Sequence, residues 1–172
     1  GTLPTCSRTG YTFLGWYTAS SGGTKISSAT KITGTVTYYA QWSINSYTLT
    51  YNVNGGNAVS PTSKSVRYGS AYGTLPTPTK SSNAEYTYAF AGWYTAASGG
   101  TQVTANTTMG AGNTTIYAHW TANKYTITFN PGQGNTSTTS KEVTYDQNYG
   151  NLPTPTRDGY TFDGWYNGTT KI

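Results

Sequence analysis

The chain repeats itself, and this constrains its architecture more than any other feature. Gly1-Thr-Leu-Pro-Thr returns as Gly73-Thr-Leu-Pro-Thr and as Gly150-Asn-Leu-Pro-Thr. Gly15-Trp16-Tyr17 returns as Gly92-Trp93-Tyr94 and as Gly164-Trp165-Tyr166. Tyr39-Ala40-Gln41-Trp42 matches Tyr117-Ala118-His119-Trp120, and Tyr47-Thr-Leu-Thr-Tyr51 matches Tyr125-Thr-Ile-Thr-Phe129, each pair 78 residues apart. The matches divide the chain into three parts: 1–46, the back part of a first repeat; 47–124, a complete repeat; and 125–172, the front part of a third. Lys171-Ile172 aligns with Lys25-Ile26, and no counterpart of residues 35–42 follows, so the chain reads as a window on a longer array.

Within a repeat the local signals are those of strands. Tyr47, Leu49, Tyr51 and Val53 alternate with Thr48, Thr50 and Asn52, and Asn54-Gly55-Gly56 ends the run. That is period two with aromatic and branched residues, bounded by a turn. A second strand is expected over 64–68, repeated at 142–145, and a third over 88–94, where Gly92 marks a bulge. A closing strand is expected over 114–120, repeated at 35–42. Leu75-Pro-Thr-Pro-Thr79 lacks the backbone donors of a central strand and reads as a connector. Ser98-Gly99-Gly100 reads as a turn. No segment carries helical spacing; Ala84 to Ala91 is too short and too aromatic. Ser43–Ser46 and Thr121–Asn123 read as short linkers between repeats.

Composition narrows the class. Of 172 residues 9% are charged and 34% hydrophobic, and Tyr alone supplies 17 of the latter. The core must therefore draw on rings, each able to bury roughly 150–250 Å². Disorder is not expected, because disordered chains are poor in aromatic and branched residues. No apolar run reaches the ~20 residues of a membrane helix, so no membrane insertion is expected of this segment. The N-terminus carries no signal-like sequence, so residue 1 is not expected to be the start of the gene product. The net charge of +5 comes from ten Lys and Arg spread thinly, which indicates no nucleic-acid face.

The recurring motifs carry a resemblance. The Tyr-Thr-Ile-Thr-Phe opening at 125–129, the Asn54-Gly55-Gly56 turn, the Gly-Tyr-Thr-Phe-Asp-Gly-Trp-Tyr string at 159–166 and the closing Tyr117-Ala-His-Trp120 resemble the Listeria–Bacteroides repeat, also called the internalin B-repeat. The resemblance covers essentially the whole chain. It implies a mostly β fold of tandem small β-grasp-like domains in an extended array. It also implies a bacterial cell-surface or secreted protein, in which such repeats serve as stalks or spacers and not as enzymes. Two departures stand out. Leu75 and Trp93 are 18 residues apart against 13 for Leu3 and Trp16, and the third repeat turns with Gly132-Gln133-Gly134. The first gives the middle repeat room for a surface loop of its own.

No catalytic, cofactor-binding or metal-binding residue is assigned. His119 is the only histidine and aligns with Gln41, so its slot does not require an imidazole; it is expected to point outward from its strand. No His or Cys lies beside it at metal-ligand spacing. Cys6, the single cysteine, excludes an internal disulfide framework and fills the slot of Pro78 and Pro155. An intermolecular disulfide through it stays open. Glu85, Glu142, Asp146, Asp158 and Asp163 share no slot across the repeats, which argues against paired carboxylate chemistry. Trp16, Trp93, Trp165, Trp42 and Trp120 recur in fixed frames and are expected in the core rather than as a sugar-stacking platform. Tyr39, Tyr117 and Tyr72 are the candidate exposed contact residues. Asn106, Asn113, Asn135 and Asn167 stand in glycosylation-type triplets that largely reflect a chain rich in Thr and Asn. A Lys–Asn isopeptide bond would need a buried Lys, Asn and acid together, and the sequence leaves this open.

The expected role is spacing an adhesive tip from the cell, with neighbouring repeats of the same chain as the principal partners. Two alternatives remain. One is an adhesion module that binds host or cell-wall glycans or surface proteins through exposed Tyr and Trp. The other is an extracellular fibre subunit that assembles by strand complementation.

Overall fold

The computed structural model describes residues 1–82 and 85–172. These residues form twelve strands and, among them, no helix. The strands are β1 (Tyr11–Tyr17), β2 (Tyr39–Ile44), β3 (Ser46–Asn52), β4 (Ser63–Arg67), β5 (Lys80–Ser82) and β6 (Glu85–Tyr94), then β7 (Gln102–Val103), β8 (Thr114–Ala122), β9 (Lys124–Thr128), β10 (Ser140–Thr144), β11 (Tyr166–Asn167) and β12 (Thr170–Lys171). The expected mostly β class is observed. Of the segment read as non-helical, Ala84 lies outside the described residues, and 85–91 are strand.

The middle part of the chain builds a mixed sheet in the order β4-β3-β8-β6-β5, with β7 also on β6. β3 and β4 form an antiparallel pair, while β3 and β8 run parallel with Leu49 opposite Thr114 and Tyr51 opposite Ile116. A parallel pair needs a long crossover, and here it contains β4 to β7. β8 is antiparallel to β6, and the register slips between Phe90 and Gly92. Gly92 has φ +130°, which only glycine adopts without strain, and the Gln102 amide occupies the space a Cβ would fill. The bulge therefore carries one residue out of the pleat so that Phe90 and Trp93 both reach the core face. β1 and β2 repeat the slip between Phe13 and Gly15.

Alternation sets the core. In β3, Leu49 and Tyr51 are buried between more accessible threonines. Leu49, Met109 and Ile116 are fully buried, and Tyr51, Val66, Tyr72, Trp93, Val103 and Ala118 surround them. Rings line this centre: Tyr51–Trp93, Trp93–Phe90 and Phe90–Trp120 have centroids 5.5, 5.7 and 5.7 Å apart. The last two are edge-to-face, the geometry that ring quadrupoles favour. Aromatic residues thus replace the missing aliphatic shell, but the innermost positions still fall to Leu, Met and Ile.

Two sequence expectations need correction. Ser43–Ser46 and Thr121–Asn123 are not linkers: Ser43 and Ile44 end β2, Ser46 opens β3, and Thr121 and Ala122 end β8. Single residues, Asn45 and Asn123, separate the strands. The strand expected over 35–42 is shorter than its repeat, since β2 starts at Tyr39. In β8 the equivalent early residues pair with β3, whereas residues 35–38 join no ladder among the described residues.

Candidate functional site: the junction between repeats

The tryptophans are structural ties. Trp16, Trp93 and Trp165 each donate their indole N–H to a proline carbonyl of the Leu-Pro connector: Pro4, Pro76 and Pro153, at 2.7, 2.8 and 2.7 Å. Trp120 donates to the Val53 carbonyl at 3.1 Å. Trp93 is only 3% exposed. Trp16 and Trp93 thereby bolt a connector that cannot pair as a strand onto a bulged strand, Trp165 ties the same connector without a strand, and each bonded indole has its polar edge satisfied.

The remaining candidates divide. Tyr72, expected at the surface, is 7% exposed and belongs to the core. Its segment lies along Thr107–Met109, where the Tyr72 N–H donates to the Thr107 carbonyl at 2.7 Å. Tyr39 is exposed and Tyr117 half-buried. His119 does not simply face solvent: it is half-buried, stacks on Tyr94 at 3.9 Å, and its Nε2 lies 2.9 Å from the Ala96 carbonyl. Gln41 does the same work in the first repeat, donating to the Ala19 and Gly22 carbonyls. The slot caps a turn, and an amide or an imidazole serves equally.

Cys6 is a free thiol of intermediate exposure. Glu142, Asp146, Asp158 and Asp163 are exposed, the Glu85 side chain lies outside the described residues, and no lysine is buried. A buried Lys–Asn–acid triad is not assembled among the described residues. Nor do three or more metal-ligating side chains gather among them. Asn106, Asn113, Asn135 and Asn167 are all exposed, with the Asn113 carbonyl oxygen accepting the Thr48 N–H at 2.9 Å.

What the chain does assemble twice is a contact between successive repeats. Asn45 donates its N–H to the Gly10 carbonyl, and its own carbonyl accepts the Tyr68 N–H, both at 2.9 Å. The Thr12 hydroxyl donates to the Asn45 side-chain oxygen at 2.6 Å. The Tyr68 ring lies over buried Gly10, where any Cβ would run into it, and meets Tyr11 edge-on with centroids 6.1 Å apart at 75°. Arg8 covers a face of Tyr11, 3.8 Å from its centroid. Further along, the Asn123 carbonyl accepts the Tyr145 N–H at 2.8 Å, and Tyr145 meets Tyr88 edge-on at 5.6 Å and 76°. Here Lys80 takes the cation's place, 4.4 Å from the Tyr88 centroid. Lys124 and Glu142 add an ion pair at 2.7 Å, and the carboxylate holds the Lys124 pKa above its ordinary value. The chemistry available here is mechanical: an aromatic latch at each junction and a backbone hydrogen bond to the pivot carbonyl, with a second bond from the pivot N–H at Asn45. Its signal was present in the sequence as Tyr68 and Tyr145, 77 residues apart, but one sequence gave no reason to join them to Tyr11 and Tyr88.

A family model for the Listeria-Bacteroides repeat domain matches residues 1–41, 47–119 and 125–171. The chain belongs to the Listeria-Bacteroides repeat family. It is 44% identical over 125 residues to Internalin H of Listeria monocytogenes, covering 71% of this chain and 21% of that protein. It is 32% identical over 166 residues to a protein of Evansella cellulosilytica named as a Gly-rich membrane protein, covering 94% of this chain and 18% of that one. The chain thus spans about a fifth of the length of the curated relatives it matches. No solved structure matches it significantly. No helix among the described residues is long and apolar enough to cross a membrane.

Proposed function

We propose that this chain is a spacer segment of a bacterial cell-surface or secreted protein. Three tandem modules, over 1–46, 47–124 and 125–172, hold an adhesive part away from the cell. The observation that carries the reading is the twice-built junction, with one residue between strand ends and a latch of two rings across it. A chain with so little slack transmits position along its length, as repeat arrays do. The β4-β3-β8-β6 order, with its central parallel pair, supports a β-grasp-like module in which loops carrying Tyr72 and Met109 cover the sheet. The surface location rests on the resemblance to Internalin H.

Small-angle scattering tests the reading: an elongated particle is expected, and a compact one overturns it. A glycan array examines the adhesion alternative, which requires a defined ligand lost on Tyr39→Ala. The fibre alternative draws on a specific observation. Among the described residues β2 and β9 each pair along one edge only, and an open edge is a template for another chain. Concentration-independent monomer in light scattering would remove it.

A further inference from the structure

The latch has a third, half-built instance. Arg157 lies 3.8 Å from the Tyr160 ring centroid, as Arg8 does from Tyr11. The Tyr160 N–H donates to the Arg157 carbonyl at 3.1 Å, as that of Tyr11 does to Arg8 at 3.0 Å. Gly159 has φ +74°, close to the +79° of Gly10. The setting differs: Tyr11 lies in β1 beside β2 and Gly10 accepts the Asn45 N–H, whereas Tyr160 joins no ladder among the described residues. The Tyr68 ring stands over Gly10, whereas nothing stands within 4 Å of a Cβ at Gly159, and Tyr160 is 67% exposed.

We infer that Gly159–Tyr160, backed by Arg157, is a docking socket for a tyrosine of another copy of this repeat, seated as Tyr68 is on Gly10–Tyr11. The biological use of the socket rests on the spacer reading; the geometry does not. The same chain supplies the occupant's chemistry. In both filled sockets the incoming residue is a tyrosine at the end of the second strand of a repeat, and it meets the socket ring at 75° or 76°. In both, its N–H is held by an asparagine carbonyl at the pivot. A ring edge carries partial positive charge and prefers a ring face, so the socket selects an aromatic edge. At Gly10 the incoming ring takes the space a Cβ would fill, and Gly159 leaves the same space open, whereas the second filled socket has Thr87 in that slot.

The test extends the full chain. Because Lys171-Ile172 aligns with Lys25-Ile26, a second run of residues 27–124 is fused after Ile172, which continues the repeat in phase. Fluorotyrosine at position 160 reports solvent contact through its isotope-induced fluorine shift, in the original and extended chains. The inference predicts a high solvent shift for Tyr160 in the original chain, falling in the extended one to the level of Tyr11. Replacing the added copy of Tyr68 by Ala should restore the high value. Because Tyr160 is already exposed, Tyr160→Ala leaves the original chain folded and controls for assignment. A Tyr160 that stays solvent-accessible in the extended chain overturns the inference. So does one already shielded in the original chain at high concentration, which would make self-association the occupant. Scattering on the same samples separates the two ideas: an elongated array with an open Tyr160 defeats the socket alone, and a compact array with a shielded Tyr160 defeats the spacer alone.

Discussion

The middle and third repeats share their motif frames and reach different states. Leu49 is fully buried, while its counterpart Ile127 is half-buried. Tyr94 is half-buried, while Tyr166 is 49% exposed. β6 is a ten-residue strand, whereas residues 160–165 join no ladder. The difference is β8: it runs between β3 and β6 in the middle repeat, and residues 125–172 contain no equivalent. Residues 125–172 keep the β9–β10 hairpin, the β11–β12 pair, the Trp165–Pro153 tie, the Asn135–Thr156 bridge and the Phe129–Trp165 ring contact. Two cavities of about 300 and 310 Å³ lie among Phe129, Tyr160, Phe162 and Trp165. Local sequence thus suffices for hairpins and ring ties, while the core depends on one central strand arriving from far along the chain.

The strongest way to break this comparison is truncation at equivalent slots. Leu49→Ala should cost about 2–5 kcal/mol, as fully buried Leu→Ala changes do. Ile127→Ala should cost well under half as much, because its site is already open. Denaturant unfolding followed by tryptophan fluorescence measures both, and equal losses would contradict the role given to β8. Glycine gives a second contrast. Gly10→Ala must carry both a left-handed backbone and a collision with Tyr68, whereas Gly159→Ala carries only the backbone, about 1–2 kcal/mol. The first should lower the melting temperature more and also shift the Tyr11 resonances. Next in size is Trp93→Phe, which keeps a ring but drops the bond to the Pro76 carbonyl, an expected loss of about 1 kcal/mol beyond packing.

The smallest effect is pH-dependent and confined to the third repeat. The Tyr166 hydroxyl, and then Lys171, hold the Asp163 carboxyl below the usual aspartate range, and the same contact raises the Tyr166 phenol. A lowered carboxylate pKa stabilises the native contact above the unfolded-state value, and this is lost as pH falls through the lowered one. The β11–β12 pair should therefore loosen in acid while the middle repeat, with Ala91 in that slot, does not. Carbon-detected titration of Asp163 with amide shifts of Lys171 checks this. A carboxyl titrating at the ordinary aspartate value would remove the contact.

The repeat frames made much of this legible in advance. Alternation around Leu49 and Ile116, the bulge at Gly92 and the Leu-Pro connector are local signals, and each has its structural counterpart. Tyr72 and His119 were misread because their partners, Thr107 and Ala96, lie 35 and 23 residues away and are joined to them only by tertiary contact. The supposed linkers were misread for a related reason. Ser43-Ile-Asn-Ser46 is polar enough to read as loop, and only pairing with β1 and β4 makes its ends strand. The junction escaped sequence reasoning because its two rings come from different repeats.

The account stands most directly on the stiffness of those junctions. Spin labels at Ser21→Cys and Ser137→Cys, in a Cys6→Ser background, sit on exposed turns of the first and third repeats. Pulsed electron–electron distance measurement should give one narrow distribution, broadened by Tyr68→Ala or Tyr145→Ala. A distribution already broad in the parent chain would mean that the repeats are beads on a slack string, and would contradict the account.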